Sequence, residues 1–172
     1  MFPIIPANSA TAGSQGNGEG IFGFGWIASG RVATTNLISD AGVVAADVAG
    51  TGTGRTGAAA CEYGGDKGIF GYGSGPVSTI NLISDAGVMA SDTTGVGTAR
   101  GALAACSYGG DKGIFGFGED ASGVTAVTNV VSNAGVVATD TTGVGTVRSW
   151  LAACEYGGDK GIFGFGYDGS GK

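Results

Sequence analysis

The chain has 172 residues, 38 of them glycine, with 14 acidic and 8 basic residues for a net charge of −6, and it has no histidine. Its few cations form no cluster, which excludes phosphate-driven nucleic-acid binding and polybasic attachment to a membrane surface, and no stretch approaches the roughly 20 apolar residues of a membrane-spanning helix. The glycines follow no G-X-Y period, which excludes a collagen helix, and they recur among Ile, Phe, Val and Leu in the manner of tight turns.

Residues 1–19 are rich in small polar residues and carry no repeat. They are expected to form an arm that attaches to another protein or to a neighbouring subunit. The start has no positively charged segment and too short an apolar run for a secretory signal, so the chain is expected to stay in the compartment where it is made. From residue 20 onward one unit recurs. GIFGFG or GIFGYG begins at Gly20, Gly68, Gly113 and Gly161, at spacings of 48, 45 and 48 residues. NLIS or NVVS begins at Asn36, Asn81 and Asn129, an arginine recurs at Arg55, Arg100 and Arg148, and a cysteine at Cys61, Cys106 and Cys154. The copies run over about 20–54, 55–99, 100–147 and, in part, 148–172. A period of this length marks an array of one supersecondary unit, whose apolar face must be covered by its neighbours.

The copy at 100–147 shows the expected elements. Residues 101–108 form a strand of small apolar residues, and the Gly109-Gly110-Asp111-Lys112 cluster suits a turn with positive φ. A second strand covers 113–118, where the period of two puts Phe115 and Phe117 on one face. A polar loop follows at 119–125, then a β-branched strand at 126–132. Asn133-Ala134-Gly135 closes a three-residue hairpin with a left-handed glycine, and a fourth strand covers 136–142. No window offers a helix, because glycine interrupts each one. The expected fold class is all-β, built of repeated four-stranded antiparallel blades, the sequence signature of a β-propeller. The copies supply three, four, four and two strands. That is just over three blades, against about four to eight in propellers. A partial propeller completed by oligomerisation is the expected outcome, and the unpaired edges at both ends invite strand pairing with another chain. Phe163 and Phe165, in the surplus last strand, are the expected assembly residues.

The repeat resembles the kelch motif in its order: Arg100, the small-residue strand from Leu103 to Cys106, Tyr108, then the glycine-bounded strand from Gly113. The kelch tryptophan has no counterpart, since Trp26 and Trp150 occupy different repeat positions. The resemblance implies blade architecture and a binding or scaffolding role. IIPANSA at 4–10 is similar to the opening of structural proteins of marine tailed phages, where related GIFGYG repeats also occur. This resemblance implies a virion component, folded in the host cytoplasm without a signal peptide.

Candidate sites follow from the recurring side chains. Three thiols at Cys61, Cys106 and Cys154 could hold a soft metal, but they pack equally well as small hydrophobes, and unpaired, dispensable cysteines are expected. Arg55, Arg100 and Arg148 could read an anion. The more economical expectation is a structural ladder with Asp47, Asp92 and Asp140, each eight residues earlier. Asp-Lys pairs at 66–67, 111–112 and 159–160 suit solvent-side turns. The acidic loops at Glu119-Asp120 and 168–171 match no calcium-loop pattern. With no histidine, no nucleophile elbow and no phosphate-loop lysine, neither a catalytic site nor a cofactor is expected, and no metal. The most variable segments are 26–33, 74–78 and 119–125, with Trp26, Ile27, Ser74, Pro76, Glu119 and Asp120 as candidate contact residues, because variable loops on a repeated scaffold carry binding. The expected function is structural, as a phage fibre, tail appendage or capsid decoration. The alternative is a propeller adhesin for a receptor or host-surface glycan. The expected partners are further copies of the chain and, through 1–19, other virion proteins.

Overall fold

A computed structural model describes residues 20–170; the arm expected at 1–19 lies outside the described residues. The described residues are all-β with no helix. The first unit holds β1 (Gly20–Ile27) and β2 (Gly30–Ile38), and the second β3 (Ala59–Tyr63), β4 (Lys67–Gly73) and β5 (Val77–Ile83). The third holds β6 (Ala104–Tyr108), β7 (Lys112–Gly116), the short β8 (Glu119–Asp120) and β9 (Gly123–Val124), and β10 (Thr128–Val131). Then come β11 (Ala152–Tyr156) and β12 (Lys160–Gly164). The strands form small antiparallel sheets, β1-β2, β3-β4-β5, β6-β7-β10, β8-β9 and β11-β12. One register recurs: Cys61 faces Ile69, Cys106 faces Ile114 and Cys154 faces Ile162.

The structure departs from the sequence expectation in four places. The expected fourth strand at 136–142 is only two bridges, Val131 to Val137 and Thr128 to Thr141, and 44–48 and 89–93 repeat that arrangement. The register slips by one residue between the bridges, and the side-chain amide of Asn129 enters the slip to bond Ala138 O at 3.0 Å. The expected loop at 119–125 contains the β8-β9 hairpin, closed by Ser122 N donating to Asp120 at 2.6 Å. The expected strand at 101–108 starts only at Ala104, because Ala102 has φ 54° and its N–H turns to Gly57 O of the preceding unit.

The fourth departure organises the rest. Phe115 and Phe117 do not share a face. Phe117 has φ 62°, as Phe24, Tyr72 and Phe165 have similar values, and the β4-β5 ladder shifts register between Gly71 and Gly73. A left-handed residue inside a strand reverses the alternation of side chains. The two aromatics therefore face opposite neighbours. Phe70 meets Phe24 of the unit before, and Tyr72 meets Phe115 of the unit after, edge to face at ring distances of 5.3 and 5.2 Å. Phe117 meets Phe163 at 5.5 Å with the rings tilted by 54°. Tyr72, Phe115, Ile69 and Val131 are fully buried at the centre of the apolar core. Consecutive first strands also pack together, β3 on β6 and β6 on β11.

The glycine between the two aromatics is the socket for the incoming ring. A Cβ at Gly71 would lie 2.7 Å from Phe115 Cζ, and one at Gly116 3.0 Å from Phe163. At Gly164, the same position in the last unit, a Cβ would meet nothing within 4 Å. Gly71→Ala should therefore destabilise dilute protein by about 1–3 kcal/mol in urea unfolding, the usual cost of overpacking. Gly164→Ala should leave the midpoint unchanged or raise it.

Candidate functional site

Each recurring arginine sits at the boundary between two units. Arg55 lies over the Phe24 ring at 3.8 Å, Arg100 over Tyr72 at 4.2 Å and Arg148 over Phe117 at 5.0 Å. Arg55 and Arg100 are buried. A desolvated guanidinium on an aromatic face contributes about 2 kcal/mol. The arginine carbonyl accepts from the glycine after that aromatic: Gly25 N to Arg55 O, Gly73 N to Arg100 O and Gly118 N to Arg148 O, at 2.9–3.0 Å.

The arginines pair in a direction other than the expected one. Arg55 lies 3.8 Å from Asp92, not beside Asp47, and donates to Asn81 Oδ1 at 2.6 Å. Asn81 in turn bonds Asp92 at 2.9 Å and Ala90 O at 3.1 Å, and the other Asp92 oxygen takes the N–H and hydroxyl of Thr53. The third unit repeats the cluster with Asn129, Asp140 and Thr98, and Arg100 Nε donates to Phe117 O at 2.9 Å. There the Arg100 Nη2 donor and the Asn129 Oδ1 acceptor, which correspond to the bonded Arg55–Asn81 pair, have no partner. The meander explains the correction: its fourth segment returns to the start of its own unit, so each aspartate meets the arginine before it in sequence.

The network sets the charges. Burial lowers the pKa of Arg55 and Arg100, partly offset for Arg55 by Asp92 and for Arg100 by Tyr72. Burial also opposes ionisation of Asp92 and Asp140, yet the hydrogen bonds from Thr53 and Asn81, and from Thr98 and Asn129, outweigh it and hold both carboxyls below the ordinary value of 3.8. Glu62 moves the other way, raised first by burial and then by the charges of Glu155 and Asp66.

The clusters are incomplete at both ends of the array. Asn36 bonds Asp47 at 2.7 Å and Ala45 O at 3.1 Å, but no arginine of the described residues reaches them. Arg148 donates to Phe165 O at 3.1 Å, its Nε is buried without a partner, and no carboxylate of the described residues pairs with it. Phe163 packs on Phe117, whereas Phe165 is 88% exposed, and at the other end Phe22 is 60% exposed. Cys61 and Cys106 pack toward Gly113 and Gly161 of the following units, while Cys154 is exposed. Burial pushes the Cys61 thiol up to about 12. All three cysteines are free, and no group of metal-ligating side chains occurs among the described residues.

The candidate contact residues fall on the turns that follow the aromatic strand. Trp26, 67% exposed, and exposed Ile27 end β1; Ser74 and exposed Pro76 lie between β4 and β5; exposed Glu119 and half-buried Asp120 form β8. By register these turns share one edge. At the opposite edge a valine follows each Ala-Gly turn, and Val43, Val88 and Val136 are equally exposed. The regular spacing of that row is its signal in the sequence. The Asp66–Lys67 and Asp159–Lys160 pairs are also at the surface. Among the described residues no helix is long and apolar enough to cross a membrane. No protein-family model matches the chain, and no curated protein is significantly similar to it.

Two predictions follow from the clusters. Asn81→Ala strands a buried arginine and a carboxylate, and should cost about 2 kcal/mol in urea unfolding, whereas Asn36→Ala, at the open end, should stay within about 0.5 kcal/mol. The second concerns acid. Asp92 and Asp140, with lowered folded values, stabilise fully above the ordinary 3.8, and that stability is lost as pH falls through the folded values. Glu62, with a raised folded value, destabilises at neutral pH and is relieved as pH falls through that value toward the ordinary 4.5. A urea midpoint that rises slightly on mild acidification and then drops below pH 3.8 is expected. Glu62→Gln should remove the rise, and Asp92→Asn should reduce the drop.

Proposed function

We propose that this chain is a structural, assembling component of a phage virion, such as a fibre, tail appendage or capsid decoration, built from kelch-like blades. The observation that carries the assembling role is the mismatch between interior and ends. The internal boundaries seat a ring against a socket glycine beneath an arginine, most deeply at Tyr72, Phe115 and Arg100, while among the described residues Phe22 and Phe165 at the two ends are exposed and nothing approaches Gly164. The opening IIPANSA, with its likeness to tailed-phage structural proteins, supplies the virion setting.

Exposed Trp26 and Ile27 favour a second reading, a glycan-binding adhesin, because an exposed indole offers a flat apolar face on which a sugar ring can stack. Proteomics of gradient-purified tailed phage particles that encode the chain tests the main reading. Peptides in stoichiometric ratio to tail or capsid proteins are expected, and absence from intact particles would overturn it. A glycan array probed with the parent and with Trp26→Ala decides the adhesin reading, which requires binding by the parent that the variant loses.

A further inference from the structure

We propose that the β11-β12 hairpin of one copy of this chain inserts into the first unit of a second copy, where β12 takes the place of β1 beside β2. The inference rests on the reading of the chain as an assembling structural protein, and it names the joint. The strands to be exchanged carry the same sequence. GIFGFG stands at 20–25 in β1 and at 161–166 in and after β12, 141 residues apart, the sum of the three unit spacings. The strand β2 thus meets the same backbone and the same side chains from either donor, in the register that pairs Gly20 with Ile38, Ile21 with Leu37 and Phe22 with Asn36.

The exchange completes what each end lacks. Among the described residues Arg148 has a buried unpartnered Nε and no carboxylate, while Asn36 and Asp47 form the other half of the cluster without an arginine. The sequence does not supply that arginine from its own start. Each recurring arginine stands 13 residues before its GIF motif, and Ala7 occupies that place before Gly20. With β12 in place, Arg148 and Thr146 stand to the second copy's Asn36 and Asp47 as Arg55 and Thr53 stand to Asn81 and Asp92. Charge complementarity then favours this occupant.

Among the described residues, a cleft of about 430 Å³ separates Gly20, Ile21 and Leu37 of the first unit from Ala60, Cys61 and Glu62 of β3 in the second. Among the same residues no strand pairs with β1 on the side away from β2, the place that a first strand takes in the other units. The strand β11, Ala-Ala-Cys-Glu-Tyr, has the same sequence as β3, the first strand of the second unit. The exposed groups of the last unit then gain the neighbours that their internal counterparts have. Phe165 goes under Arg55 of the second copy, Gly164 receives Phe70, and Cys154 faces Gly68. Reciprocal exchange between two copies closes a ring of six complete units, within the range of about four to eight seen in propellers. One-way exchange propagates a filament, and both use this joint.

The test is complementation in the full-length chain, read by sedimentation velocity and native mass. Arg148→Asp and Asp47→Arg should each raise the half-assembly concentration at least about tenfold. An equimolar mixture of the two should restore the parent's assembly, because each joint of an alternating array then pairs opposite charges. Equal assembly by parent and single variants, or a mixture no better than its components, would overturn the exchange. The structural reading would survive that result, since the chain would assemble through another surface. A parent that remains monomeric at all concentrations overturns the exchange as well. A second measurement separates exchange from end-to-end stacking. With the native cysteines replaced by alanine, Leu37→Cys and Ile162→Cys chains are mixed under mild oxidation. A disulfide-linked heterodimer is expected, since directly opposed strand residues lie within disulfide reach, and its absence counts against strand insertion. Should the cysteine-free background fail to fold, the charge complementation decides alone.

Discussion

The array depends on one contact, a buried arginine laid across an aromatic ring of the unit before it. A guanidinium removed from water is stable only where its donors and its charge are met nearby. Here the ring meets its face, carbonyl oxygens and an asparagine take donors, and a carboxylate held by threonine sits at its edge. The contact needs the aromatic to turn away from its own sheet, which explains the left-handed φ at Phe24, Tyr72 and Phe117. A non-glycine residue in that region costs about 1 kcal/mol or more. Ring burial and the arginine stack offset the strain at each internal boundary, while Phe165 carries it with its ring exposed.

That exposed, strained terminal aromatic gives the molecule a direction. One end offers a ring and an arginine, and the other offers a carboxylate, an amide and a cleft. The two ends differ in chemistry and match each other, the condition for a heterologous interface. An isologous pairing of like ends would bring arginine against arginine.

Much of the architecture was legible in the sequence. The spacing of GIF motifs placed each aromatic strand, the Gly-Gly-Asp-Lys clusters placed the turns before them, and the glycines of the Ala-Gly turns are left-handed as expected, with φ of 75°, 72° and 76° at Gly42, Gly87 and Gly135. What escaped was the face of the second aromatic. A period of two assumes extended backbone throughout, and no propensity rule anticipates a left-handed tyrosine or phenylalanine in a strand. The arginine partners escaped for a related reason. The constant offset of eight between Asp47 and Arg55 is real in sequence, but it spans a link between units, and the pairing follows the return of the meander. By its local pattern the asparagine of NLIS is a strand residue and nothing more. Its full burial at Asn81 and Asn129, at the centre of each cluster, follows from a register slip that local pattern does not encode.

The unit spacings of 48, 45 and 48 residues differ for one local reason. The segment between the aromatic strand and the asparagine is shorter by three residues in the second copy. All of that difference lies in the turn that begins at Ser74, on the edge shared with Trp26 and Glu119. The other edge is uniform: Ser39, Ser84 and Ser132 each receive the N–H of the residue four positions on, at 3.2 Å, and each turn then presents a valine. The array thus has one smooth edge and one notched edge. A neighbour that slides along the smooth side meets the same corrugation at every step and can settle at any of them, whereas one that grips the notched side finds tall, short, tall, and has a single place to stop.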